Sequence, residues 1–169
     1  MNNFFAKMRG GTDLPPRAPL RHVALSWLGG FLAIAAVAIA TDISQVPLVL
    51  GSFGASCVLI FAFPESPFSQ PRNAIGGHFL SSLIGLLFLT LFGAHWWSMA
   101  LAAGTAIAVM QLTRTVHPPA GSNPVIVMLS APAWSFLLTP TLIGSIIVVL
   151  VAIVFNNIPK ERSYPKYWM

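Results

Sequence analysis

The sequence predicts an all-α membrane protein, and three observations lead to that fold class. Apolar residues make up 56% of the 169 residues and charged residues only 8%, whereas an ordinary soluble domain is about 25% charged. The apolar residues are gathered into long runs joined by short connections. The basic residues, which give a net charge of +5, lie in the tails and connections rather than on a patterned face. That distribution is typical of cytoplasmic anchors of membrane helices and argues against a nucleic-acid partner.

Six apolar runs predict about six membrane segments between a basic cytoplasmic tail, residues 1–21, and a basic C-terminal tail, residues 158–169. The first run is longer than the apolar core of a signal peptide, about 7–15 residues, so we interpret it as a retained helix. The connections are short, so no second domain fits beside the transmembrane domain of residues 22–157. The runs span residues 22–40, 46–63, 74–92, 96–113, 118–138 and 141–155.

The second and fifth runs predict half-helices preceded by non-helical backbone. In the second run, Pro47 and Gly51 interrupt the start. The longest uninterrupted helix, residues 53–63, would span about 16 Å, roughly half of the hydrocarbon core. In the fifth run, the proline pair at 118–119 precedes a short helix that ends before Pro132. Such backbone persists at membrane depth only where protein or a wet cavity covers it.

Matching proline and glycine positions predict that the chain consists of two repeats of three segments each. In each repeat a broken segment lies between two long helices, an arrangement known from membrane transporters. Four pairs of positions match at offsets of 67 to 69, namely Gly54 with Gly121, Pro64 with Pro132, Pro71 with Pro140 and Gly76 with Gly144.

The charges predict the topology of the two repeats. If all six segments cross and the N-terminus is cytoplasmic, Arg72, Arg114 and the basic C-terminus all lie inside. The second repeat then enters from the opposite side to the first, which makes an inverted pair. In the alternative, four transmembrane helices with two re-entrant segments, Arg72 and Arg114 lie outside. We therefore expect a multi-pass protein of the cell (inner) membrane with both termini in the cytoplasm.

Two polar stretches carry a resemblance to a known family. The first comprises residues 50–56, 63–67, 70–73 and 76–78, and the second is residues 110–121, which contains the triplet His117-Pro118-Pro119. Together they resemble the HPP family of integral membrane proteins, which is named for that triplet, over residues 22–155. The family is usually described as having four transmembrane helices. Plant and cyanobacterial members are assigned to nitrite transport, so the resemblance implies transport of a small inorganic anion.

The candidate substrate-binding residues lie where the two broken segments begin. Unpaired backbone N–H groups and the dipole at a helix start favour an anion, and in an inverted repeat two such starts can meet at the midplane. Donors to a small planar anion would be Ser52, Ser56, Ser122 and Asn123. Positive charge or protons would come from Arg72, Arg114, His78 and His117. The candidate set is completed by Gly54, Asn73, Gln111, Pro118, Pro119 and Gly121.

Structural explanations of the same residues stay open. Arg72 and Arg114 are also explained as topology anchors, and His117 as a helix cap whose ring bonds the backbone. The small residues are also explained by close helix packing. The alternative function is therefore a non-transporting scaffold or sensor component. A transporter needs a polar cavity that reaches Ser56, Arg114 or His117, whereas a scaffold buries these residues in dry hydrogen bonds.

The sequence argues against an enzyme, a metal site or a cofactor. Its four histidines and one cysteine lack the spacing of metal ligands. It contains neither a Walker loop nor a catalytic constellation. The expected partners are the lipid bilayer and a small inorganic anion. A homo-oligomer stays open, since one chain of this length has little bulk to enclose a pathway.

Overall fold

A computed structural model describes residues 7–168, and within that range the chain forms helices and short irregular connections without a strand. The first six residues of the predicted N-terminal tail and Met169 lie outside the described residues. The long helices are α1 (Leu20–Ser44), α3 (Pro71–Phe92), α4 (Trp96–Leu112) and α6 (Ile143–Asn156). The short helices are α2 (Ser52–Cys57), continued by a wider π-helical turn over Val58–Ala62, and α5 (Asn123–Ser130), preceded by a 3-10 turn over Pro118–Ser122.

The all-α membrane fold is confirmed by the length and composition of these helices. Three stretches are long and apolar enough to cross a membrane, namely Leu20–Ser44, Pro71–Phe92 and Trp134–Asn156. Two shorter ones, Ser52–Ala62 and Trp96–Leu112, are also apolar. Large apolar side chains such as Trp27, Phe31 and Leu150 remain exposed on the outer faces of the long helices. An apolar surface of that extent suits contact with lipid rather than with water.

Contacts between helix ends place the start of α1 and residues 161–166 on one face of the molecule. His22 Nε2 lies 2.8 Å from the Ala62 carbonyl at the end of the second segment. Tyr164 in the C-terminal tail donates from its hydroxyl to the Ser69 carbonyl at 2.8 Å, and its burial raises the pKa of this tyrosine. We call this the basic face, because it carries Arg21, Arg72, Arg114, Arg162 and Lys166.

The same contacts trace six passages between the two faces. From the basic face α1 runs outward, and residues 45–62 return, since Ala62 lies beside His22. The helix α3 runs outward and α4 returns, since Arg72 donates to the carbonyl of Thr113. The fifth segment, which ends at Ser130, runs outward beside α3. The helix α6 then returns towards the basic face, and Asn156 at its end donates to the Ile60 carbonyl. Each broken segment therefore joins opposite faces, as in the inverted pair and not as in the re-entrant alternative.

Two glycines show that the repeats are related in structure as well as in sequence. A Cβ atom at Gly77 would lie 2.9 Å from the Thr115 carbonyl oxygen, and one at Gly144 would lie 2.5 Å from that of Leu48. Gly77 and Gly144 stand 67 positions apart, as do Leu48 and Thr115. In both repeats a glycine thus lets a long helix pack directly on the backbone before a short helix. In the structure, Gly144 therefore corresponds to Gly77. The sequence match had paired Gly144 with Gly76, so it is corrected by one position.

Candidate functional site

The two broken segments meet at the starts of their short helices. Ser52, the first residue of α2, donates from its hydroxyl to Oδ1 of Asn123, the first residue of α5, at 2.8 Å. Both side chains are buried. The prolines at 118 and 119 need no backbone N–H partner of their own, which suits the tight turn that leads into α5. The predicted meeting of the two helix starts is therefore present in the fold.

A serine hydroxyl lies between two imidazole rings beside this junction. Ser56 Oγ is 2.8 Å from Nε2 of His78 and 2.8 Å from Nε2 of His117. The centroids of the two rings are 5.0 Å apart. Relative exposure is 1% for Ser56, 1% for His78 and 0% for His117. We call these three residues the His–Ser–His cluster.

Close approach of the chain to α3 positions His117 in the cluster. At Gly77 a methyl group would lie 2.8 Å from Cβ of His117, so only glycine allows this approach. Asn73 donates to the Val116 carbonyl at 2.9 Å, and Ser81 donates to the Ala120 carbonyl at 2.6 Å. Residues before and after His117 are thus fixed to α3, the helix that also carries His78.

The neighbours of each ring define its tautomer. His117 Nδ1 lies 2.7 Å from the Phe68 carbonyl, which can only accept, so Nδ1 carries the hydrogen and Nε2 accepts. His78 Nδ1 lies 3.0 Å from the Asn123 side-chain nitrogen, which can only donate, so Nδ1 accepts and Nε2 carries the hydrogen. The Ser56 hydroxyl therefore accepts from His78 and donates to His117. The network continues from Asn123 to Ser82 at 2.9 Å.

The cluster offers hydrogen-bond donors without a competing negative charge. Glu65 lies on the basic face and pairs with Lys166 at 2.8 Å. Among residues 7–168, no group of three or more His, Cys, Asp and Glu side chains is placed to hold a metal ion. The hydroxyl, imidazole and amide groups of the cluster suit a small anion or a proton better than a metal cation.

Other predicted site residues lie away from the cluster. Arg72 and Arg114 are on the basic face, where Arg72 donates to the carbonyls of Thr113 and Arg114 at 2.9 and 3.4 Å. Ser122 turns back to the Pro119 carbonyl at 2.8 Å. The structure brings together Ser52, Ser56, His78, His117 and Asn123, with Asn73 and Pro119 buried nearby. It leaves Gly54, Gln111, Pro118 and Ser122 exposed and Gly121 half-buried.

Sequence reasoning missed several polar groups that support the cluster. Ser82 bonds Asn123 at 2.9 Å and Thr141, which lies in the last segment just before α6, at 3.1 Å. The Phe68 carbonyl, which fixes the tautomer of His117, comes from a loop and carries no side-chain signal. Hydroxyls inside apolar helices are common, so the sequence gives only a weak signal for Ser82.

A second polar group outside the predicted site caps the C-terminal end of the α2 segment. Arg162 donates to the Phe61 carbonyl at 3.3 Å and to Asn156 Oδ1 at 3.0 Å. Its other terminal nitrogen lies 3.2 Å from His22 Nδ1. A pocket of about 670 Å³ opens beside this group on the basic face, but its lining does not include the His–Ser–His cluster.

The comparisons with known proteins concern nearly the whole chain. A family model described as "HPP, transmembrane region" matches residues 15–165. Two proteins of Dictyostelium discoideum, each named only as a transmembrane protein, are 36% and 38% identical over 98% of this chain. The match covers 57% and 63% of those two proteins, so the chain spans somewhat under two thirds of their length. No solved structure matches.

Proposed function

The chain belongs to the HPP transmembrane family, and we propose that it carries a small inorganic anion such as nitrite across the cell membrane. The observation that carries this proposal is the His–Ser–His cluster, a buried polar group at the junction of two inverted broken segments. Membrane transporters commonly bind substrate at such a junction. A buried group of this kind within apolar helices is expensive, which favours a functional explanation.

The donors around the cluster favour an anion as the substrate. His78 presents an Nε2 hydrogen, Ser56 a hydroxyl and Asn123 an amide, and no carboxylate lies beside them. Hydrogen bonds to a charged acceptor are about twice as strong as those between neutral groups. In a low-dielectric interior this difference grows. A planar anion with two oxygens could therefore accept the hydrogen bonds that Ser56 and the imidazole rings otherwise make with one another.

The described conformation is closed around the cluster. Its three side chains are at most 1% exposed, and neither the pocket on the basic face nor the apolar groove between α1 and α2 includes them. Transport would require one repeat to move against the other and open the cluster to each face in turn. A state closed to both faces would lie between the two open states of such a cycle.

A non-transporting scaffold or sensor component is the second candidate, and one observation favours it. Every buried side-chain polar atom of the cluster has a hydrogen-bond partner. Within the described part of the chain, only Ser98 Oγ is buried without one. Satisfied, dry hydrogen bonds are what a purely structural network requires. Transport activity separates the two candidates.

Anion uptake into proteoliposomes tests the proposal directly. We would compare nitrite, nitrate and chloride, each corrected for uptake by protein-free vesicles. The test variant is Ser56→Ala, and the matched control is Ser98→Ala, which removes a buried hydroxyl that has no partner. Selective nitrite uptake that Ser56→Ala abolishes and Ser98→Ala keeps would support transport through the cluster. Absence of uptake by correctly inserted wild-type protein would favour the scaffold.

A further inference from the structure

We infer that the His–Ser–His cluster is a proton-binding site, that His117 Nε2 takes the proton, and that this proton crosses the membrane together with the anion. The inference rests on the proposed transport function. It adds the coupling ion and the atom that carries it. The geometry around the Ser56 hydroxyl is the observation that leads to it.

The Ser56 hydroxyl has two acceptors within reach. Its oxygen lies 2.8 Å from His117 Nε2 and 3.2 Å from the backbone carbonyl of Ser52. In the neutral cluster the hydroxyl hydrogen points to His117. When a proton binds to His117 Nε2, that nitrogen becomes a donor to Ser56 Oγ, and the hydroxyl turns to the Ser52 carbonyl. The proton comes from hydronium when the cluster is open to water: an O–H bond of hydronium breaks and an N–H bond forms at Nε2. Within the cluster no covalent bond breaks, and only the hydroxyl rotates.

The two histidines differ in their ability to take the proton. Protonation of His117 leaves its Nδ1–H bond to the Phe68 carbonyl intact. Protonation of His78 would place a hydrogen on Nδ1, which faces the Asn123 side-chain nitrogen at 3.0 Å. Two donors would then point at each other. Asn123 Nδ2 also donates to the backbone carbonyl of His78 at 3.2 Å, which can only accept and so holds the amide in this orientation. His117 is therefore the acceptor.

Every element packed around the cluster presents an uncharged group to it. The second segment contributes Ser52 and Ser56, and the loop before α3 contributes the Phe68 carbonyl. The helix α3 contributes His78, Ser81 and Ser82, α5 contributes Asn123, and the last segment contributes Thr141. Arg72, Arg114 and Glu65 lie on the basic face, and Glu65 is paired with Lys166.

Because no carboxylate lies near the cluster, binding of the proton depends on binding of the anion. An imidazolium buried among neutral groups is costly unless an opposite charge accompanies it. A bound anion next to His117 supplies that charge, and the protonated ring in turn supplies a charge-assisted donor to the anion. Each ligand therefore raises the affinity for the other. A monovalent anion and one proton form a neutral pair, so the transport step carries no net charge.

Simultaneous measurement of anion, proton and charge movement tests this coupling. Proteoliposomes would contain a pH-sensitive dye, the membrane voltage would be clamped with potassium and valinomycin, and external nitrite would be supplied as the probe. Protein-free vesicles correct for nitrous acid that crosses lipid unaided. Wild type and Ser98→Ala are expected to take up one proton per nitrite without current. Before nitrous acid equilibrates through the lipid, protein-mediated uptake should drive nitrite towards about tenfold accumulation for each pH unit by which the outside is more acidic.

Two variants and one spectroscopic measurement complete the test. His117→Gln keeps a hydrogen-bonding side chain but cannot take a proton, so the proton uptake and the pH-driven accumulation should both disappear. Nitrogen NMR of histidine-labelled protein in nanodiscs should show His117 become imidazolium when nitrite is added at constant pH. Nitrite uptake that carries current and no protons would overturn the coupling and leave anion transport standing. No nitrite uptake by inserted wild type would overturn the proposed function itself.

Discussion

Ser56 Oγ and His117 Nε2, separated by 61 positions in sequence, are joined by a 2.8 Å hydrogen bond at the junction of the two repeats. One residue comes from the short helix of the first repeat and the other from the turn before the short helix of the second. Both are buried, and the hydroxyl also reaches His78. The bond therefore links the stability of the junction to the chemistry proposed for it.

Loss of the Ser56 hydroxyl should destabilise the protein. In Ser56→Ala, the Nε2 atoms of His78 and His117 lose their partner while still buried. An unsatisfied buried polar group costs about 1–3 kcal/mol. We expect a lower thermal midpoint in detergent for Ser56→Ala and little change for Ser98→Ala, whose hydroxyl has no partner. Equal midpoints for the two variants would show that the hydroxyl contributes no stability.

Gly77 should tolerate no side chain, in contrast to Gly104. A Cβ at Gly77 would meet both His117 Cβ and the Thr115 carbonyl oxygen within 2.9 Å, whereas nothing lies within 4 Å of one at Gly104. Overpacking of this kind costs about 1–3 kcal/mol, and alanine otherwise stabilises a helix relative to glycine by about 0.5–1 kcal/mol. We predict that Gly77→Ala unfolds at lower temperature than wild type and that Gly104→Ala does not. The reverse order would contradict the close approach of residues 115–117 to α3.

Loss of Asn156 should destabilise the end of the α2 segment. Its amide donates to the Ile60 carbonyl at 3.1 Å and accepts from Arg162 at 3.0 Å, and the residue is buried. We expect Asn156→Ala to lower the free energy of unfolding by about 1–3 kcal/mol. The control is Asn157→Ala, one residue further, where the side chain is exposed although it donates to the Ile153 carbonyl and accepts from the Tyr164 N–H. A larger loss at position 157 than at 156 would contradict the capping role.

The prediction that both tails lie in the cytoplasm can be tested by cysteine labelling. In a Cys57→Ala background, which removes the single native cysteine, cysteines would be placed at Lys160 on the basic face and at Asp42 near the opposite end of α1. Both positions are exposed. A membrane-impermeant maleimide should label Asp42→Cys in intact cells and Lys160→Cys only after permeabilisation. Labelling of both in intact cells would contradict the six-passage topology.

The sequence predicted the segments well because their signals are local. Apolar runs and flanking prolines placed α1, α3 and α4 within a few residues of their observed ends. The fifth run was an exception, since residues 134–138 belong to the last segment. Ala131 adopts a left-handed conformation after α5, and with Pro132 it ends that helix at Ser130. Pro132 had indicated this end of the short helix in the sequence, whereas the apolar residues after it gave no sign that they belong to the last segment.

The candidate site was predicted in part, for a reason that Arg114 and His117 illustrate. Both belong to one polar stretch, and the sequence suggested that they act together. Between them the chain leaves the helix and becomes irregular, and each extended residue advances it by about 3.3–3.6 Å. Arg114 therefore stays on the basic face while His117 reaches the buried junction. The Phe68 carbonyl and the orientation of Asn123 depend on contacts between distant segments, which no local pattern encodes.

The most direct test of the account is nitrite uptake into proteoliposomes by wild type, His117→Gln and Ser98→Ala, with proton uptake recorded in the same vesicles. Wild type and Ser98→Ala are expected to take up one proton with each nitrite, and His117→Gln is expected to lose proton-coupled accumulation while remaining folded and inserted. Wild-type protein that is correctly inserted and moves no anion would contradict transport through the His–Ser–His cluster. Unchanged coupled uptake by His117→Gln would contradict the role of His117.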